Sequence, residues 1–201
     1  MLDLPTILAF LTAGIALNLT PGADVMFAIA SGTRGGWRAG VAASAGVALG
    51  AMGHVLLATF GVAALLTAYP LGFDILRYAG AAYLLWLAWQ AWTADPETKK
   101  AQGRASLLGA VRQGAITNIL NPKVALFVLA FLPQFADPAR GPVWAQMLML
   151  GAMFITTGFI VTSAYGALGG WFASAMTRRA IVLNRIASVV FAMLALRLVK
   201  G

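Results

Sequence analysis

Asp24, His54 and Lys123 sit inside long apolar runs of a 201-residue chain in which only 10 per cent of residues are charged. Asp24 and Lys123 are the acid and the ammonium that fall within the body of the predicted spans. A charge at membrane depth is expensive enough to mark function by default. A carboxylate there can hold a proton or a substrate ammonium, and a lysine can balance it or meet a substrate carboxylate. The bland alternatives are a structural ion pair near the interface and a lysine that snorkels to the headgroups. His54, the single histidine, could join a proton pathway, although a lone histidine on an apolar helix is more often a hydrogen-bonded packing residue. No second histidine, cysteine or carboxylate lies at ligand spacing from it, so no metal site and no cofactor are expected.

The two charges stand beside interruptions of the apolar runs. One reads Asn18-Leu19-Thr20-Pro21-Gly22-Ala23-Asp24 and the other Thr117-Asn118-Ile119-Leu120-Asn121-Pro122-Lys123. Proline inside a helix removes one hydrogen bond and clashes with the preceding turn, at about 3 kcal/mol. The freed carbonyls and amides must be buried against protein or line a polar cavity, because lipid offers them no partner. Half-helix N-termini suit a carboxylate and half-helix C-termini suit an ammonium, so an amino-acid zwitterion needs both. A single such break is explained by a kink, with Asn18, Thr20, Asn118 and Asn121 satisfying local backbone. Two breaks in corresponding positions of two halves point instead to a transporter's binding site. Asn18, Thr20, Pro21, Gly22, Asn118, Asn121, Pro122 and Lys123 are the expected substrate-binding residues, with Asp24 and His54 as proton-coupling groups.

The elements that must position these residues follow from composition. With 61 per cent of residues apolar, the chain reads as an all-α, polytopic membrane protein. Apolar runs over residues 4 to 31, 39 to 69, 73 to 93, 107 to 134, 143 to 173 and 180 to 199 predict six transmembrane helices, the first and fourth broken at proline. The first run has no basic n-region and leads into Thr20-Pro21-Gly22 rather than a cleavage site, so it is expected to be retained. The net charge of +8 would suggest nucleic acid in a soluble protein. Here the basic residues lie in connectors, and orientation is the better explanation. The first, third and fifth connectors carry nine Lys and Arg against four on the opposite side, which predicts both termini outside. Trp37, Trp92 and Trp171, with Tyr69 and Trp144 at the other face, fit interfacial rings or simple packing equally. Zero cysteines exclude a disulfide framework and any thiol relay.

Sliding the chain on itself by 101 residues superposes Pro21 on Pro122 and Gly50-Ala51-Met52 on Gly151-Ala152-Met153. Each half has three spans, so the repeats must be inverted. The expected organisation is a first repeat over 1–94, a cytoplasmic linker over 95–105 and a second repeat over 106–201. Glycines at 32, 36, 40, 46, 50 and 53, with Gly166 and Gly170, give small-xxx-small spacings that serve internal packing or a homodimer equally. Thr156, Thr157, Thr162, Ser163 and Tyr165 give the fifth span a polar stretch.

At the two interruptions the sequence resembles the lysine-exporter (LysE) superfamily, and within it the RhtB-like homoserine and threonine efflux branch. Residues 18–24 look like that family's first-helix signature and Asn121-Pro122-Lys123 like its fourth-helix signature, in a chain of matching length and hydropathy. Ala23 stands where many relatives have a second proline. The resemblance implies a six-span protein of the bacterial inner membrane that exports amino acids or their derivatives by proton antiport. Thiol-disulfide electron carriers and cadmium exporters of the same superfamily fit poorly with a chain lacking cysteine. The expected function is therefore a secondary amino-acid exporter working by alternating access, not an enzyme, with lipid, protons and a small-molecule amino acid as its partners. A passive channel and a membrane-embedded enzyme are the alternatives, and no nucleophile with a base in reach is visible for the latter.

Overall fold

A computed structural model describes residues 2–68, 72–93 and 103–200, and every regular element among them is helical. Helix α1, Leu4–Leu19, starts because Asp3 caps it, its Oδ1 accepting the Thr6 N–H at 3.0 Å, with Pro5 in the first turn where its missing N–H is harmless. It ends at Thr20, whose extended backbone (φ −70°, ψ 122°) leads into Pro21. Helix α2, Ala23–Ala68, follows at once and kinks at Gly36 (φ 74°, ψ 177°), a conformation essentially restricted to glycine. Helix α3 spans Gly72–Thr93 and α4 spans Leu107–Ile119. After a break at Leu120 and Asn121 come α5, Pro122–Leu126, a π-helical turn Phe127–Phe131 and two 3₁₀ segments, Leu132–Phe135 and Pro138–Arg140. Helix α6 spans Val143–Ala167 and α7 spans Gly169–Lys200.

Both expected interruptions are real. The axis turns by 55° between Leu107–Ile119 and Pro122–Phe135, and α1 stops one residue before the Thr20-Pro21 step. Two expected connectors are not loops. The stretch carrying Arg34 and Arg38 stays helical on either side of Gly36, and the stretch carrying Arg178 and Arg179 lies within α7. The turn expected near 174–179 sits instead at Leu168, between α6 and α7. Hydropathy marks where water begins, whereas helical hydrogen bonding continues beyond that boundary until glycine releases it. The expected linker lies outside the described residues apart from 103–105. There Gly103 presses against the Ala30 carbonyl and the Arg104 N–H donates to Ser31 Oγ at 3.1 Å. Tyr69 and the Trp171 side chain also lie outside what is described.

Among the described residues, Ala23–Gly61 and Val143–Ala167 are each long and apolar enough to cross a membrane, and the bent pair Leu107–Ile119 with Pro122–Phe135 makes a third such span if it is one unit. Helix α2 is central and packs along α4 and α6, while α3 and α7 pair beside them. The glycines explain how closely α2 approaches its neighbours. A methyl group added at Gly46 would collide with the Val111 carbonyl, one at Gly114 with the Ala43 carbonyl, and one at Gly40 with Gly166. Gly40, Gly46 and Gly166 of the small-residue stripe are thus used inside the chain, letting backbones approach as van der Waals packing in lipid requires.

The apolar core gathers at one end of the bundle. Phe10 on α1 packs on Phe127, Phe131 and Phe135 at centroid distances of 6.2, 6.3 and 5.4 Å, so α1 is clamped to the irregular segment after α5. Arg140 closes the rim above them, bonding Asp3 at 2.6 Å and Asp137 at 3.1 Å. Hydrogen bonds from Thr6 and from Arg140 pull the Asp3 carboxyl down from 3.8 to about 2. A depressed carboxyl stabilises the fold above its unfolded pKa and loses that contribution as pH falls through the folded value. The clasp is therefore intact at neutral pH and opens only in strong acid. A carbon-detected NMR titration of Asp3 will show a midpoint near 2, and Arg140→Gln will raise it without restoring the ordinary value, because Thr6 still donates. Gly46→Leu will lower thermal stability in detergent by the equivalent of about 1–3 kcal/mol or more through overpacking against α4.

Candidate functional site

The two breaks meet. Loss of the helical ladder at Thr20-Pro21 leaves the last carbonyls of α1 without helical donors, and the break before Pro122 leaves the first amides of α5 without helical acceptors. Asn121 serves as the N-cap of α5, its Oδ1 accepting the Lys123 N–H at 3.1 Å, while Pro122 occupies the first turn. Lys123 then reaches across to the other break. Its Nζ donates to the carbonyl oxygens of Leu17 at 2.8 Å and Thr20 at 2.9 Å. A cation at a helix C-terminus is favoured by the aligned peptide dipoles, and here it bonds two carbonyls directly, that of Leu17 being shared with the Thr20 N–H.

Asp24 makes the reciprocal connection. It lies in the first turn of α2, where a carboxylate suits the helix dipole, and it is buried. Its Oδ2 accepts from Asn118 Nδ2 at 2.8 Å and from Asn121 Nδ2 at 3.0 Å. Each broken helix therefore sends one charged side chain into the other's interruption. Asp24 and Lys123 share the site without forming a salt bridge; the ion pairs among the described residues are those of Arg140. Lys123 does not snorkel either, being committed to α1.

Around these groups lies a cavity with an empty volume of about 490 Å³, part of it continuous with solvent. Asn18, Thr20, Gly22, Asp24, Asn118, Asn121 and Lys123 line it, which brings together seven of the ten residues singled out from the sequence. Asn18 Nδ2 donates to Thr157 Oγ1 at 3.3 Å, joining α1 to α6, and Thr20 Oγ1 returns to the Ala16 carbonyl at 2.6 Å. Pro21, Pro122 and His54 are not in the lining. The prolines make the breaks and leave the walls to their neighbours. His54 is buried on α2 with Nε2 3.2 Å from the Asn118 carbonyl, so it holds the fourth-helix break from behind.

Two contributions have little or no sequence signal. Tyr83 on α3 donates through its hydroxyl to the Lys123 carbonyl at 2.9 Å, tying α5 to the outer helices, and nothing in the run around it distinguishes it from other aromatics. Phe154 and Phe159 of α6 wall the cavity, as any apolar residue of a predicted span could. The polar stretch of α6 is divided in use: Thr162 lines the cavity, Thr157 bonds Asn18, and the Tyr165 hydroxyl lies 3.4 Å from the Leu19 carbonyl.

A family model described as LysE type translocator matches residues 15–201. The chain belongs to that family. Among similar proteins, an uncharacterized membrane protein of Vibrio cholerae is 34% identical over 172 residues, covering 83% of this chain and 82% of its own length. A homoserine/homoserine lactone efflux protein of Salmonella typhimurium is 34% identical over 165 residues, covering 80% and 78%. A leucine efflux protein of Klebsiella pneumoniae is 35% identical over 133 residues, covering 65% and 63%. No solved structure matches the chain. The LysE match includes both interruptions and all ten residues predicted for the site.

Removal of Lys123 leaves the Thr20 carbonyl without the partner it has here, and an unpaired acceptor in a buried site costs about 1–3 kcal/mol. Lys123→Met and Asn121→Ala, the second removing both a cap worth about 0.5–2 kcal/mol and a donor to Asp24, are each expected to lower the unfolding temperature in detergent. Differential scanning fluorimetry of the two variants against the parent makes the comparison.

Proposed function

We propose that this chain is a secondary exporter of amino acids or their derivatives in the bacterial inner membrane, driven by proton antiport through alternating access. The observation that carries the reading is the cavity between two interrupted helices, walled by one buried carboxylate and one half-buried ammonium that form no salt bridge with each other. Names of relatives as homoserine, homoserine lactone and leucine efflux proteins support the substrate class. Asn18, Thr20, Gly22, Asn118, Asn121 and Lys123 contact substrate, Pro21 and Pro122 open the backbone to it, and Asp24 exchanges a proton for the substrate's ammonium. His54 acts by holding the Asn118 carbonyl beside that exchange.

The element order supports six crossings in two inverted repeats. A shift of 101 residues carries α1 onto α4, the first arm of α2 onto the segment after Pro122, the second arm onto α6 and α3 onto α7. On this reading one half rocks against the other about the cavity. The Phe10 cluster and the Asp3 clasp close the outer end, both termini lie outside, and the linker lies in the cytoplasm. A channel would show no accumulation above equilibrium.

The test is flux of a panel of amino acids in proteoliposomes under an imposed pH gradient. The parent is expected to accumulate its substrates against their gradient. Asp24→Asn is expected to lose pH-driven accumulation, and Lys123→Ala to lower uptake at every pH. Unchanged pH-driven flux in Asp24→Asn removes the coupling role, and full transport in both variants moves the site elsewhere.

A further inference from the structure

We propose that Phe154 links the cavity to the outer end of the bundle: it is the cavity-side ring of an aromatic stack carried by the strap Pro122–Phe135, and an amino acid in the cavity opens that end by moving the strap. This rests on the transporter reading and adds to it the part that moves.

The stack runs from the cavity wall to the rim. Phe154 lines the cavity and lies 5.2 Å from Phe127, Phe127 lies 4.8 Å from Phe131, and Phe10 of α1 packs on both of the latter. Phe10, Phe127 and Phe131 are at most 1% exposed, so the cavity does not reach solvent through them. Beyond Phe154 the lining continues along α6 through Gly158, Phe159 and Thr162, toward the helix end that the proposed topology puts in the cytoplasm. The stack therefore shuts the outer end in this state.

The strap is built to change shape. It starts in the cavity wall, where α5 contributes Lys123 and Val124 and the Tyr83 hydroxyl holds the Lys123 carbonyl at 2.9 Å. Past its far end the Gln146 side chain of α6 bonds the Asp137 N–H at 3.1 Å and the Asp137 carbonyl at 2.8 Å, and Gly141, at φ 123°, turns the chain. Between these anchors the helix widens into the π turn Phe127–Phe131 and tightens into the 3₁₀ segment Leu132–Phe135. Hydrogen bonds closing over five or three residues instead of four change the angular step per residue, so a return to α pitch turns Phe131 and Phe135 about the axis and off Phe10. Ring contacts part without leaving polar atoms unpaired.

The opposite end is made differently. On the 101-residue repeat the positions of Phe10, Phe127, Phe131 and Phe154 fall on Val111, Met26, Ala30 and Gly53. The arm after Ala23 is α-helical as far as Gly36, and Gly103 meets it at the Ala30 carbonyl, main chain on main chain. No ring of the stack has an aromatic counterpart there.

The chain has no cysteine, so Ala13→Cys places a single thiol at a fully buried site on α1, one turn from Phe10 toward the cavity. Its rate of reaction with a maleimide, measured on the full chain in detergent, reports how often the stack opens. L-Homoserine, L-leucine and a panel of other amino acids are the probes, and uptake into proteoliposomes shows which are carried. A carried amino acid is expected to speed labelling by at least about tenfold. Phe154→Leu is expected to raise ligand-free labelling by up to about tenfold, the most that one ring pair supplies. It is also expected to blunt the response and to lower kcat with KM within about threefold of the parent's. Leu84→Ala, a loss of buried side chain on α3 outside the stack, is expected to keep the response. Asp3→Cys with Arg140→Cys, joined by a short thiol cross-linker, is expected to abolish transport while the amino acid still binds. Labelling unchanged by a carried amino acid, or transport that survives the cross-link, overturns the gate and leaves the exporter standing; both are read without Phe154→Leu and decide even if that variant does not fold. A folded Phe154→Leu that responds as the parent does overturns the role of Phe154. Uptake of no amino acid overturns both readings.

Discussion

A main chain that stops being helical inside an apolar run must find partners for its own carbonyls and amides, and the rest of this structure answers that demand. At the first break the answer is an ammonium group, Lys123, bonded to the Leu17 and Thr20 carbonyls. At the second it is a pair of asparagines, one capping α5 and both donating to Asp24. Lys123 comes from the other broken helix, and the two asparagines are held in turn by Asp24 from the first, so each interruption is tied to the other. The brace is mutual. It also explains why the two charges stay apart: each is already held by neutral dipoles, so direct pairing would strip partners from both.

Packing around the brace has two registers. On one side α2 lies against α4 and α6 through glycines whose missing side chains let carbonyls of the neighbouring helix come into contact. On the other, the Phe10 cluster and the rim clasp of Arg140 fix α1 to the irregular chain after α5. The first is a close contact of backbones, intolerant of added volume. The second is a set of aromatic contacts and exposed ion pairs, individually weak and separable one by one. A structure that moves one half against the other would rest on the former and release the latter.

His54 shows how a residue can be found correctly and read incompletely. Its burial inside an apolar run is visible from sequence, and so is its scarcity. Its contact with the Asn118 carbonyl is not, because the two residues are 64 positions apart and meet only where α2 crosses the break of the fourth helix. Tyr83 is the converse case, a supporting contact to the Lys123 carbonyl from a position that sequence gives no reason to single out.

Sequence alone determined the class of the fold, the two breaks and most of the polar residues around the cavity. Those depend on local rules: proline denies a helix its hydrogen bond, glycine loosens the backbone, and isolated charges in apolar runs need a purpose. It misplaced the connectors around Arg34 and Arg178, because hydropathy cannot tell a loop from a helix that continues into water. Tertiary structure alone decided which partners the freed backbone groups take and that Asp24 and Lys123 brace opposite breaks rather than each other. Those outcomes turn on distances between segments about a hundred residues apart, and hydrogen bonding falls off too steeply with distance and angle for spacing along the chain to fix them.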